Sequence, residues 1–396
     1  MTYLDHAATT PMLPEAVAAL TAELGVVGNP SSLHGAGRRS RRVVEEAREQ
    51  IAGSFGARPS EVVFTAGGTE ADNLAVKGLF WSRRAADPRH RRVIASAVEH
   101  HAVLDPVQWL VDHEGAEVTW LLVDEVGRVD PAQLRAELAR DPDGVALVSI
   151  MWANNEVGTV QPIRECAEVA HEFGVVMHTD AVQAAGHLAV DFDDVGVDAL
   201  TVTGHKLGGP LGVGALLLSR SADPVPLLHG GGQERDVRSG TLDTPAIAGF
   251  AAAVSVTVDE LALRSLNVAA LRDQLLARLL DQVPDAILNG DAKLAPQYRL
   301  PGNAHVSFPG CEGDSLLLLL DARGIYCSTG SACSSGVAQA SHVLLAMGAD
   351  ADTARSSLRF SLGHTSTVAD VDALVGAIGP VVERARAARA AAHIGR

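Results

Sequence analysis

Short, nearly continuous apolar runs recur along the first two thirds of this chain: EVVFTA (61–66), RVIASAV (92–98), EVTWLLV (117–123), VALVSIM (145–151), VVMHTD (175–180), DALTVT (198–203) and GVGALLLS (212–219). Between them, apolar residues fall at helical spacing over 14–24, 37–55, 70–80, a stretch ending near Leu110, 131–140 and 162–173. The clearest stripe is Val43, Val44, Ala47, Ile51 and Phe55. Strands that are apolar throughout are covered on both faces, and strands separated by helices of about 10–15 residues pair in parallel. The pattern predicts an α/β fold around a mainly parallel sheet, with its ligand at the carboxyl ends of the strands.

Beyond about Glu260 the rhythm changes. One long helix over roughly 245–282, two short strands (AILNG and AHVSF), a leucine-rich helix over 312–323, IYC, a further helix, SLRFSL and a terminal helix predict a smaller α+β unit. At 396 residues the chain exceeds one ordinary core, so a division is expected. We expect a large domain over 14–260 and a small one formed by 1–13 and 261–396.

Composition narrows the function. With 47% hydrophobic and 20% charged residues and a formal net charge of −16, the chain reads as an ordinary folded protein without direct nucleic-acid contact, which needs a basic face. Arginine clusters at 38–42 and 83–92 read as solvated faces. No apolar run reaches about 18 residues and the N-terminus lacks a signal-peptide pattern, so no membrane association and a cytoplasmic location are expected. The four cysteines, Cys166, Cys311, Cys327 and Cys333, make no disulfide framework and have no zinc spacing.

Candidate chemistry starts from a scarcity. Only three of the 32 Lys and Arg residues are lysines: Lys77, Lys206 and Lys293. Arginine stays protonated, whereas a lysine amine can be tuned to attack a carbonyl. Lys206 follows a predicted strand in TVTGHKLGGP, where Gly204, Gly208 and Gly209 would leave room for a ligand. An exposed loop lysine is the alternative. Gly67-Gly68-Thr69-Glu70 opens a helix after a strand and would suit a phosphate. Asp180 ends another strand, with Gln183 after it; His100 and Asn154-Asn155-Glu156 follow two more. His100 would stack on a ring and shuttle protons, and His101 would point elsewhere. Asp and Lys on two strand ends beside a phosphate cradle are what pyridoxal phosphate needs: the acid keeps the pyridine nitrogen protonated and the lysine carries the aldehyde.

Successive segments then carry a resemblance. YLDHAATTP, TAGGTEADNLA, EHHAVLDP, ANNEVGTVQP, HTDAVQAAG, TGHKLGGPLGVGAL, GGGQERDVRSGT, STGSACSS and SSLRFSLG, in order over nearly the full length, resemble the group I cysteine desulfurases (NifS/IscS type) of the class V aminotransferases. The resemblance implies a homodimeric fold-type I pyridoxal phosphate enzyme with a seven-stranded sheet. It implies conversion of L-cysteine to L-alanine, leaving an enzyme persulfide whose sulfur passes to an acceptor protein, such as an iron–sulfur scaffold or a transfer-RNA thiolation enzyme.

On matching positions, the resemblance implies that Lys206 carries the cofactor, Asp180 pairs with the ring nitrogen, Gln183 bonds the ring hydroxyl and His100 stacks on the ring. Gly68, Thr69, Thr203 and His205 would hold the phosphate, joined across the dimer by Thr241. Asn155 and Arg359 would receive the substrate carboxylate, for which a planar guanidinium is suited. Cys333 matches the persulfide-forming cysteine, on a loop over about 325–340 whose small residues suggest mobility. Cys327 departs from the pattern; strand packing or reaction with the persulfide are its two readings. Rival functions are selenocysteine lyase or another pyridoxal phosphate activity, a non-catalytic sulfur carrier, and a metal enzyme built from His100, His101, Asp180 and Cys333.

Overall fold

Among the described residues, twelve strands are laid down in chain order, β1 (Thr2–Tyr3), β2 (Val62–Thr65), β3 (Arg92–Ser96), β4 (Glu117–Leu121), β5 (Val145–Ser149), β6 (Met177–Asp180), β7 (Ala199–Thr203), β8 (Gly214–Leu218), β9 (Ile287–Leu288), β10 (Asn303–Ser307), β11 (Ile325–Tyr326) and β12 (Ser357–Ser361). They belong to a computed structural model that describes residues 1–330 and 340–394. Seven of them form one sheet in the order β2-β8-β7-β6-β5-β3-β4. β3 through β7 pair in parallel, and β8 runs antiparallel to both its neighbours, β7 and β2. The expected mainly parallel, seven-stranded sheet is therefore present, with every strand inside one of the seven apolar runs.

Successive strand residues face opposite sides. Val62, Ile94, Val148, Leu200 and Leu217 enter a core covered by the helices Gly35–Ser54, Ile163–Glu172 and Thr244–Asp259. Val63, Val93, Leu147, Ala199 and Leu216 enter a second core under the helices after β2 and β3. Covering on both sides is why these runs are apolar at most positions, without polar alternation. A separate cluster joins Leu4, Val306, Phe308, Leu316, Leu358, Phe360 and the terminal helix Val368–Ile394. Here β9, β10 and β12 form a three-stranded antiparallel sheet, and β1 pairs in parallel with β11.

Two helices differ from expectation. The long helix is two, Thr244–Asp259 and Leu261–Gln282, bent by 73° at Glu260. Neither Gly nor Pro marks the break, so tertiary packing decides it: Phe250 and Val254 serve the large-sheet core, while Leu275 and Leu279 serve the other cluster. The helix expected over 70–80 starts as Gly68–Asn73, widens to a π turn at Leu74–Gly78, and resumes as Leu79–Ala86. Gly78 is required there, since a Cβ would sit 2.7 Å from Pro224 and from the Val225 carbonyl. Among the described residues, no single helix is long and apolar enough to cross a membrane.

Candidate active site

Carboxyl ends of the parallel strands converge on a cavity of about 390 Å³. At its floor, β7 turns through Gly204–Lys206 and delivers Lys206, whose Nζ donates to the carbonyls of Ala7 at 2.5 Å and Ala8 at 2.7 Å. Burial, then the nearby Arg359 guanidinium, pushes its pKa down to about 8, against the pull of Asp5 and Asp180. An amine so placed is neutral more often than an ordinary lysine and is the better carbonyl nucleophile. The surrounding glycines serve a different purpose from the expected one. A Cβ on Gly209 would lie 3.0 Å from the Gly204 carbonyl, and one on Gly208 2.8 Å from Leu13. They let the turn pack on the protein itself, not on a ligand.

Asp180 at the end of β6 is 5% exposed, and its Oδ1 accepts the Val182 N–H at 2.8 Å. Burial, then the neighbouring Asp72, pushes its pKa up to about 7, against the pull of His178 and Lys206. Gln183 Nε2 donates to the same Ala7 carbonyl that holds Lys206, at 2.9 Å. His100 caps the helix His101–Glu114, its Nδ1 accepting the Ala102 N–H at 3.1 Å. Burial, then Lys206, brings its pKa down to about 4, so the ring is neutral. With Nδ1 accepting, the proton sits on Nε2. His100 can thus donate a hydrogen bond at Nε2 but has no lone pair there.

The N-terminal end of the helix Gly68–Asn73 meets Thr203 and His205 on one wall. The first N–H groups of a helix lack intrahelical acceptors, and here they belong to the cavity-lining Gly68 and Thr69. Gly67, with φ of 137°, adopts a backbone conformation that favours glycine and turns the chain into this helix. His205 Nδ1 is buried without a hydrogen-bond partner. An unpaired imidazole nitrogen beside free helix N–H groups fits a phosphate that accepts from all of them. The same cavity, which would take the ring of pyridoxal phosphate, is lined by His100, Asp180 and Lys206.

On the opposite wall, β12 places Arg359, 4% exposed. Its Nη1 donates to the Asn155 carbonyl and its Nη2 to Asp5 Oδ1, both at 2.9 Å, while Nε is buried without a partner. Asn154 is structural, its amide closing the turn on Val98, Glu156 and Val157, whereas Asn155 lines the cavity. The single region thus collects Lys206, His100, Asp180, Gln183, Gly68, Thr69, Thr203, His205, Asn155 and Arg359.

Other residues fall elsewhere. Thr241 is exposed and is not part of this cavity's lining. Cys333 lies outside the described residues. Cys327 is buried, and burial and then Asp5 push its thiol up to about 12, which favours the packing reading and leaves it a poor nucleophile. His101 corrects an expectation: it lines the cavity, bonds Asp105 at 3.0 Å and meets His342 edge to face at 5.5 Å. Sequence reasoning missed Ala7 and Ala8, which act through backbone carbonyls, although YLDHAATTP had been singled out. It also missed His342 and Asp72, which carry no local spacing signal. Among the described residues no group of three or more His, Cys, Asp or Glu has the geometry to hold a metal.

Comparison with known proteins agrees with this geometry. The aminotransferase class-V family matches residues 2–374. An IscS-like cysteine desulfurase of Mycobacterium tuberculosis is 59% identical over 392 residues, covering 99% of each chain. The solved structure of a NifS-like protein aligns with a TM-score of 0.88 at 34% identity, covering 97% of this chain and all of the other. SspA in complex with cysteine aligns with a TM-score of 0.79 at 34% identity, over 92% of this chain and 99% of that one. This chain belongs to the aminotransferase class-V family, among its IscS- and NifS-like cysteine desulfurases.

Proposed function

We propose that this pyridoxal phosphate-dependent cysteine desulfurase works through Lys206, Asp180, His100, Arg359 and Cys333, converting L-cysteine to L-alanine. Lys206, the one lysine delivered to the strand ends, carries most of this reading. Pyridoxal phosphate, held by Lys206 and by Asp180 at its ring nitrogen, supplies an electron sink for the bonds at the substrate α-carbon. His100 would stack on the ring, Gln183 would bond the ring hydroxyl, and Gly68, Thr69, Thr203 and His205 would hold the phosphate. Arg359 grips the substrate carboxylate with Asn155 beside it, and the unpaired Nε–H of Arg359 supports this by leaving a donor to share. The Lys206 amine would take and return the α-proton, and His100 would offer a hydrogen bond from Nε2.

The sulfur leaves the substrate for the Cys333 thiolate. The carbon–sulfur bond breaks, a sulfur–sulfur bond forms, and the product carbon takes up a proton, giving alanine and a persulfide. The persulfide then passes its sulfur to an acceptor protein. The chain acts as a homodimer: Thr241, exposed and away from its own cavity, suits a residue that reaches the partner's phosphate. Two separate cores, one at the large sheet and one around β10 and β12, support a large unit over 14–260 and a small one from 1–13 with 261–396, in a protein read as cytoplasmic. Purified protein given pyridoxal phosphate and L-cysteine tests the reading. Alanine should form with one persulfide per chain, and Cys333→Ser should keep the cofactor's visible absorption while forming no persulfide. A Cys333→Ser variant that released sulfur at the parent rate would contradict it.

A further inference from the structure

Asp72 and the network behind it have no part in the steps above. Asp72 stands on the helix that opens the phosphate cradle, is 1% exposed, and lines the cavity. Its Oδ1 is buried without a hydrogen-bond partner. Behind it runs a chain of buried side chains from neighbouring strands. Ser149 Oγ lies 2.9 Å from His178 Nδ1, and His178 Nε2 lies 3.1 Å from Thr201 Oγ1. Thr201 favours the charged form of the Asp72 carboxyl, whose Oδ1 is 3.5 Å from His178 Nε2.

The direction of this chain follows from counting protons. Burial pushes the His178 pKa down to about 4, so its ring is neutral, with one N–H and one lone pair. If Ser149 donates to Nδ1, the ring proton is on Nε2 and goes to Thr201, whose own proton is left for Asp72. Run the other way, the Ser149 hydroxyl proton would have no acceptor among the described residues. The chain therefore leaves the Thr201 hydroxyl proton for the Asp72 side and favours the charged form of that carboxyl. Burial works against that charge and pushes the Asp72 pKa up to about 7.

A carboxylate at this point acts on Asp180. The groups acting on Asp180 are Asp72 from the cradle helix, Glu99 from the segment after β3, Lys206 from the turn after β7, and His178 on its own strand, while His100 lines the same cavity. Glu99 is fully buried, accepts the Met151 N–H at 2.7 Å, and is held well above the usual carboxylate range by burial first and by Asp180 and Asp72 after it. Burial and the two neighbouring carboxylates thus favour the protonated form of Glu99, and Asp72 is the other acid that acts on Asp180.

We propose that Asp72 is a positioning residue for the cofactor: fed by the Ser149–His178–Thr201 chain, its carboxylate sets the proton affinity of Asp180 and so the pH range over which the ring nitrogen is held. The proposal rests on the cofactor reading given above. Like charge raises the proton affinity of Asp180, so removing it makes Asp180 the stronger acid. Asp72→Asn keeps the shape and removes the charge. Thr201→Val removes the donor, pushes Asp72 toward its neutral form, and should act in the same direction but less.

The test is pyridoxal phosphate binding to the apoproteins of the parent and both variants, by equilibrium dialysis from about pH 5 to about pH 8. Thermal unfolding of each apoprotein confirms that it is folded, and Thr201→Val carries the test if Asp72→Asn is not. The acid-side midpoint of binding should move to lower pH by about one unit in Asp72→Asn, and by less in Thr201→Val. Superimposable profiles would overturn the proposal, as would an equal loss of affinity at every pH, the mark of a merely structural residue. A parent protein that takes up no pyridoxal phosphate at any pH would overturn the cofactor reading and this proposal with it.

Discussion

The two ends of the cavity are built from opposite charges and are shifted in opposite directions by one cause. At the acidic end, burial pushes both Asp180 and Asp72 up to about 7, and Asp72 adds to the rise at Asp180. At the amine end, burial and the Arg359 guanidinium bring Lys206 down to about 8, and burial with Lys206 brings His100 to about 4. Desolvation disfavours whichever form is charged, so it brings acids and amines alike toward neutrality near pH 7. Lys206 and Asp180 oppose this in each other, the cation lowering the acid and the acid raising the amine. The active-site groups are thus a coupled set, and changing one end should be felt at the other.

Removing the amine breaks the comparison most completely. Lys206→Ala should lose the cofactor's covalent attachment and cut cysteine turnover by at least roughly 10²- to 10⁴-fold, checked by visible absorption and alanine release. Arg359→Lys comes next: losing the two-pronged grip should raise KM for cysteine about 10-fold or more with a smaller effect on kcat, read by steady-state kinetics.

Apoprotein stability against pH sharpens the contrast without removing either end. Asp180 and Asp72 have folded pKa values raised from 3.8 to about 7, so between those values the folded state holds more protons than the unfolded. Stability from these groups should fall as pH rises through that window. Lys206 has a folded value lowered from 10.5 to about 8, so there the unfolded state holds more protons and its contribution should rise with pH from about 8 to 10.5. Denaturant melts of the parent and of Asp180→Asn would check the acid limb, which the variant should flatten. The smallest effect is expected away from both ends: Cys327→Ala, in the small-unit core, should leave persulfide formation unchanged and cost about 1 kcal/mol in urea melts.

Much of the large sheet was legible because strands covered on two faces leave unbroken apolar runs, and all seven were found. The bend at Glu260 was not, since no glycine or proline announces it and only the two separate cores require it. At the site, Lys206, Asp180 and His100 could be read because they follow strands directly. Ala7 and Ala8 could not, because their contribution is a carbonyl that any residue would carry. Asp72 stayed hidden for another reason: its importance lies in Thr201 and His178, more than a hundred positions away and brought to it only by strand order. The three conspicuous lysines divide the same way. Lys77 lies over Trp109 at 4.1 Å and Lys293 over Tyr298 at 4.8 Å, and neither lines the cavity; Lys206 does.

The central claim is that one lysine-centred cavity delivers substrate sulfur to one particular cysteine. Protein loaded with pyridoxal phosphate, mixed with L-cysteine and digested, would be mapped by mass spectrometry while alanine is counted in the same sample. The account predicts one added sulfur on the peptide bearing Cys333, in step with the first equivalent of alanine. Sulfur appearing instead on Cys327, Cys166 or Cys311, or alanine forming without any protein-bound sulfur, would contradict it.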